Sequence, residues 1–396
     1  MTSLTYDSIV IGLGAVGAAT LLQLTRRGQR VLGLDRWDPP HPWGSTHGDT
    51  RITRRAIGEG EQYVPLVTRS HEIWRETEAE TGKSLLVECG AMILAAAGNA
   101  AIVHGKPGFV RSTIAAAQRC AIPHEVLGAG EAMRRFPQFR LRGDEIVYYE
   151  PGGGYVCPEA CVAAQLALAR RGSAVVRTNT RVTSIARDGA GVRVNTAGRE
   201  TFAAPDAVLA AGAWSPGLGG PSWRRTWKSS VKSCIGFHGR ARRLCAGPLP
   251  RLHMSLRRSA GGWVLRLPVP PGTEGVKVAM EQYTEVAEDP DRLRRAVTPD
   301  EVGHMYSTHL QTRMPSLRPQ ALRSVVCAYT ATRDGDFLVQ RLPDNERVLL
   351  MSACSGHGFK HSAGLGEAVA EMVATGTQVP AFAGFAGERL VAAVAK

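Results

Sequence analysis

Three glycines, in Gly12-Leu-Gly14-Ala-Val-Gly17, follow an apolar run from Asp7 to Ile11 and open a helical stretch, Ala18 to Arg27. A second run, Val31 to Leu34, then ends on Asp35. Strand, turn, helix, strand and terminal acid in that order suit a dinucleotide. Gly12 gives the tight turn, Gly14 admits a pyrophosphate close to the backbone, Gly17 lets helix and strand pack, and the helix N-terminus faces the phosphates. Asp35, 18 residues after Gly17, is placed to accept hydrogen bonds from ribose hydroxyls, which favours FAD or NAD over NADP. Arg51 and Arg54 stand three residues apart after Ser45-Thr-His47. A guanidinium offers a planar fork to carboxylates and phosphates. A short helix or turn would aim both at one place, whereas an open loop would leave an exposed pair. Late in the chain, Ser355-Gly-His-Gly-Phe-Lys360 lies between the apolar run Val348 to Met351 and a helix beginning near His361. Backbone N–H groups at such a glycine-rich junction suit an anion, or the negative charge of a reduced ring system. Cys327, among β-formers, reads by itself as a core thiol. Lys277, between two valines, either faces inward and needs a partner or takes the outward face of its strand.

These residues need a frame that the rest of the chain must supply. Residues 64–80 are amphipathic, with Leu66, Ile73 and Trp74 on one stripe. Apolar runs at 91–97, 174–178, 182–186 and 206–211 read as strands, and 158–170 and 361–375 as helices. The proline-rich stretch Trp37 to Gly44 suits neither a helix nor a central strand. Between about 225 and 285 the alternation of apolar and polar residues predicts a mostly antiparallel sheet. The fold class is therefore α/β (α+β): a Rossmann-like nucleotide-binding domain interleaved with an antiparallel-sheet domain.

Composition excludes several other classes. With 396 residues, 44% hydrophobic and 21% charged, the chain buries a full core and is not disordered. Its 48 basic and 35 acidic residues give +13, yet no run of five or six like charges appears, and the densest cluster is Arg240, Arg242 and Arg243. That pattern suits a solvated surface better than a nucleic-acid groove. The eight cysteines contain no CxxC pair or metal-type spacing, so no metal is expected and most read as reduced, buried thiols. No signal peptide and no stretch of 18 apolar residues is present, so a soluble, cytoplasmic protein without membrane contact is expected.

Several segments together resemble monomeric sarcosine oxidase and N-methyltryptophan oxidase, flavoprotein amine oxidases of the D-amino-acid oxidase superfamily. They are Gly12 to Gly17 with Asp35, Asp38 to His41 with Gly44-Ser45, and His47 to Ile52. Further on come Gly58 to Glu61 with Tyr63 to Leu66, Gly212-Ala-Trp214, Val326 to Thr330, and Ser355 to Lys360. The resemblance runs nearly end to end and implies FAD held as a thioether to Cys327. It also implies cofactor contacts from Arg36, Ser45, Thr50, Val182, Gly212, Trp214, Gly356, Gly358, Phe359 and Lys360. Arg54 and Lys360 match the pair that binds the substrate carboxylate, and Lys277 the lysine associated with oxygen activation. His47 and Arg51 match residues lining the flavin, and Tyr329 a tyrosine at the substrate pocket. The implied domains are 1–86, 148–224 and 326–396 for FAD, and 87–147 and 225–325 for substrate.

The implied activity is oxidation of a secondary-amine α-amino acid, N-methyl or cyclic, by a monomer that reduces O2 to hydrogen peroxide. Two alternatives keep the flavin: a dehydrogenase with another electron acceptor, against which Lys277 weighs, and an RNA-binding flavoprotein, against which the missing charge run weighs. Two departures bear on the substrate. Glu281 stands where the named enzymes carry a histidine, and it would favour a cationic substrate group, unless it turns away or Gln282 takes the place. Val264-Leu265-Arg-Leu-Pro268 stands where the family has Tyr-Tyr-Gly-Phe-Pro, which changes the size and polarity of the pocket.

Overall fold

In the computed structural model the described residues are 6–96, 107–220, 227–239, 253–259, 262–268, 275–287, 289–387 and 389–390. The strand Ser8–Ile11 lies within a six-stranded sheet, flanked in parallel by Val31–Leu34 and Asp206–Leu209. Val175–Arg177 and Asn345–Ser352 extend it in parallel on either side, and Leu338–Leu342 closes one edge antiparallel. Ser8, Ile9, Val10 and Ile11 are all buried, as a strand covered on both faces requires. The helix Ala15–Arg26 packs on this sheet through Leu21, Leu22 and Leu24. Each such leucine contributes roughly 1.5–3 kcal/mol by leaving water. The helix Ser362–Thr375 crosses the first helix where Gly366 meets Ala19, a contact that leaves no room for a Cβ.

A second sheet has eight strands and is antiparallel except where His253–Ser259 runs parallel to Ala91–Ala96. Its edge strand, Leu317–Thr332, pairs with Trp227–Gly239, which pairs with Val276–Ala287. Gly262–Pro268 and His253–Ser259 follow, and then Ala91–Ala96, Glu145–Glu150 and Glu125–Gly128. A small sheet of Arg51–Thr53, Gly154–Val156 and Leu86–Glu88 and another of Val182–Asp188, Gly191–Thr196 and Thr201–Ala204 complete the frame.

The expected mixture of a parallel nucleotide-binding part and an antiparallel part is what the chain forms. All four apolar runs read as strands are strands, and the helices Val64–Thr81, Pro158–Arg171 and Ser362–Thr375 fall where periodicity placed them. Among the described residues, four α-helices lie where the periodicity predicts none: Phe109–Arg119, Ala129–Arg135, Ser215–Leu218 and Pro299–Met305. One reading of the thiols needs correction. Of the six cysteines whose burial is described, none forms a disulfide, only Cys161 and Cys327 are buried, and Cys120, at the end of the surface helix Phe109–Arg119, is exposed. Among the described residues no helix is long and apolar enough to cross a membrane, and no group of His, Cys, Asp and Glu could hold a metal ion.

Candidate active site

One cavity runs along the ends of the central strands and is lined by Gly12, Gly14, Asp35, Arg36, Ser45, Val182, Gly212 and Trp214, eight of the expected cofactor residues. Gly12 has φ +88°, and a Cβ there would fall 2.6 Å from the Ala210 carbonyl oxygen. Only glycine makes this turn without strain. Gly17 lies outside the cavity and serves packing, since a Cβ would strike the Gly12 carbonyl. Asp35 is buried, and its carboxylate accepts hydrogen bonds from the N–H groups of Leu13 (2.7 Å) and Trp37 (2.9 Å). It thereby locks the glycine turn to the end of the second strand. A glycine-lined turn at a helix N-terminus, with a fixed acid one strand away, fits FAD.

The opposite end of the cavity is lined by Ala328, Thr330 and Cys354, on or beside the edge strand Leu317–Thr332. Cys327 is 2% exposed, as a core thiol would be, but the Arg51 Nη2 donates to its Sγ at 3.5 Å. The same nitrogen donates to the Ser45 carbonyl at 2.7 Å, and Nη1 to the Thr50 carbonyl at 2.9 Å. Lys277 takes the inward of its two possible faces. It is buried, and Nζ donates to the carbonyls of Gly48 and Thr50, each at 2.6 Å. The turn between them, with Gly48 at φ +97° and Asp49 at φ +69°, is tied from the other side by Glu159, whose Oε1 accepts from the N–H groups of Gly48 (2.5 Å) and Asp49 (3.2 Å). His47, Thr50 and Tyr329 are buried around the same segment and strand.

Arg51 and Arg54 are not aimed at one place. Residues 51–53 form a strand paired with Gly154–Val156, and an odd spacing on a strand sends side chains to opposite faces. Arg54, 1% exposed, instead donates from Nη2 to Glu59 Oε2 at 3.1 Å, with its Cζ 5.3 Å from the Phe109 ring centre. Lys360, 3% exposed, lies 3.5 Å from Glu59 Oε1 and donates to the His357 carbonyl at 2.9 Å. Two buried cations therefore share one carboxylate. Arg54 Nε has no hydrogen-bond partner among the described residues. Glu59 lies in a segment that carries the family resemblance, where only the flanking glycines mark it in the sequence, and Glu159 has no sequence signal of its own.

Other expected residues take less direct places. Gly356, with φ +84°, Gly358 and Phe359 form the junction before Lys360, outside the cavity lining, and the Phe359 ring stacks on Trp74 at 6.3 Å. The side chains of Glu281 and Leu265 lie outside the described residues. Their backbones place Glu281 opposite Lys232 and Trp263, and Leu265 opposite Ala279. Nearby, burial holds His361 well below the usual histidine range and pushes the Tyr63 and Tyr148 hydroxyls up.

A dinucleotide cavity, a buried cation pair and a buried lysine near the strand that carries Cys327 fit a flavin-dependent amine oxidase. The chain belongs to the DAO family of FAD-dependent oxidoreductases, whose model matches residues 7–372. It is 35% identical to a monomeric sarcosine oxidase of Streptomyces avermitilis over 99% of both chains. It is 31% identical to the N-methyl-L-tryptophan oxidase of Yersinia pestis over 92% of this chain and 94% of the other. Among solved structures, NikD, an unusual amino acid oxidase essential for nikkomycin biosynthesis, superposes with a TM-score of 0.82 at 22% identity, covering 97% of this chain and 98% of that one. Glycine oxidase from Geobacillus kaustophilus gives 0.74 at 21%, covering 96% and 98%. At such identities the likeness is one of fold.

Proposed function

We propose that the protein is an FAD-dependent oxidase of a secondary-amine α-amino acid, N-methyl or cyclic. The observation that carries this reading is the convergence of Arg54 and Lys360 on a single carboxylate. A carboxylate entering here would meet both cations together, a charge-assisted clamp that selects substrates with a carboxylate beside the amine. The relatives named for sarcosine and N-methyl-L-tryptophan support an N-methyl substrate.

FAD would be held by Gly12, Gly14, Asp35, Arg36, Ser45, Val182, Gly212 and Trp214, with Thr50 beside its ring end and a thioether to Cys327. When bound it supplies the acceptor for a hydride from the carbon beside the substrate nitrogen, after which water hydrolyses the imine product and O2 is reduced to hydrogen peroxide. The Lys277 ammonium, held by two carbonyls, places a fixed positive charge where electrons leave for O2. Arg51 and His47 line the ring and Tyr329 the substrate side. Glu281 and Leu265 set specificity along their strands. Residues 1–86, 148–224 and 326–396 form the FAD domain, and 87–147 and 225–325 the substrate domain. The relatives' name supports a monomer.

The test uses purified protein against a panel of N-methyl and cyclic secondary amino acids, with primary amino acids as controls, following flavin bleaching and peroxide together. Peroxide from at least one secondary amino acid is expected. Bleaching without peroxide would make the protein a dehydrogenase and remove the role given to Lys277, and no bleaching with any carboxylate-bearing amine would overturn the reading.

A further inference from the structure

The segment 289–295 follows Val276–Ala287 of the eight-stranded sheet and touches the wall of the dinucleotide cavity where Arg36, Trp37 and Trp214 line it. Pro290–Arg292 form one helical turn, and the Asp289 carboxylate caps it by accepting from the Asp291 N–H at 2.9 Å. Asp291 then accepts from Arg36 Nη1 at both carboxylate oxygens, 2.7 and 2.8 Å, and from Trp214 Nε1 at 2.8 Å. Four residues on, Arg295 donates to the carbonyls of Trp43 (2.7 Å) and Pro42 (3.3 Å), with its guanidinium 5.2 Å from the centre of the Trp43 ring. Between the two anchors, Trp37 lies 4.9 Å from Trp214 and 5.7 Å from Trp43, with Arg36 4.6 Å over its face.

We propose that Asp291 is a positioning residue for the cofactor: it fixes Arg36 and Trp214, two residues of the cavity wall beside Asp35, against the adenosine half of FAD. The inference rests on FAD occupying this cavity. This part of the wall is the adenosine end because Asp35 stands there, at the C-terminus of the second strand, where an acid meets the ribose. A half-exposed ion pair contributes little to folding. A carboxylate that gathers one guanidinium and one indole N–H, both from the cavity wall, instead spends its contacts on where those side chains stand. Both side chains also meet Trp37, so Asp291 ties a cluster on the cavity wall to the chain that follows the eight-stranded sheet.

The test is made in a Cys327→Ser background, where flavin is held without a bond, by measuring dissociation constants for FAD, ADP and FMN. Asp291→Ala should weaken FAD and ADP together by about tenfold or more and leave FMN within about twofold, because FMN lacks the adenosine half. Asp291→Asn, which keeps an acceptor for the Trp214 N–H, should fall between. Unchanged FAD and ADP affinity would overturn the proposal and leave the FAD reading intact, and equal weakening of all three ligands would overturn it by showing a general loss of structure. Failure of the Cys327→Ser parent to bind FAD or ADP would remove the FAD assignment of the cavity, and this inference with it.

Discussion

The Arg51 guanidinium stands 3.5 Å from the Cys327 sulfur, across 276 residues of sequence, and uses the same nitrogen to hold the Ser45 carbonyl at the cavity wall. A neighbouring cation favours the thiolate, which is the nucleophilic form of cysteine. Arg51→Met should therefore slow or abolish flavin attachment, so that the colour leaves the protein on acid precipitation, while Cys327→Ser should release all of it. Colour that stays in the pellet of the Arg51 variant at parental levels would show that the thiol needs no such help.

Arg54 is the more buried of the two cations that meet Glu59, and its Nε has no hydrogen-bond partner among the described residues. Arg54→Met should raise KM for the best amino-acid substrate on the order of 10- to 100-fold, the size of a lost hydrogen bond to a charged group. Flavin content should stay at the parental value. Steady-state kinetics with KM unchanged would remove Arg54 from the carboxylate site.

Glu59 presents the complementary case. In Glu59→Gln the two cations lose their shared anion, and an uncompensated buried charge costs about 3–5 kcal/mol. Tm should drop by several degrees in buffer without carboxylates and recover as acetate is added. A variant whose Tm is insensitive to acetate would show that small carboxylates do not reach the pair.

His71 gives a pH dependence. Burial is the largest cause of its depression from 6.5 to about 4, and the Arg55 charge adds to it, while its Nε2 lies 2.6 Å from Thr53 Oγ1. The unfolded chain binds a proton near pH 6.5 and the folded one does not until about pH 4, so stability is full above 6.5 and falls as pH drops toward 4. The total is roughly 3 kcal/mol. Thermal melts at pH 7 and pH 4.5 should show this loss, and His71→Asn should shrink it.

How much of this was legible depended on distance along the chain. The nucleotide unit was readable because strand, turn, helix and acid all fall between Asp7 and Asp35. The divergence of Arg51 and Arg54 was not, because whether those residues form a turn or a strand is decided by pairing with Gly154–Val156, about a hundred residues away. The outward or inward choice for Lys277 was open for the same reason, and the carbonyls of Gly48 and Thr50 settle it from another part of the chain. The helix Pro299–Met305 was a different kind of miss: Thr298 and Glu301 form a reciprocal cap that the spacing alone displays.

Cys327 belongs to the outermost strand of the eight-stranded sheet, and the next residue reaches across to the Gly44 carbonyl at 3.2 Å instead of to another strand. A flavin bonded there, with its nucleotide on the glycine turn of the six-stranded sheet, would act as a rivet through both layers. Pulling the two sheets apart would then mean dragging a nucleotide out of its groove, so the cofactor that performs the chemistry would also set the force and heat the protein withstands.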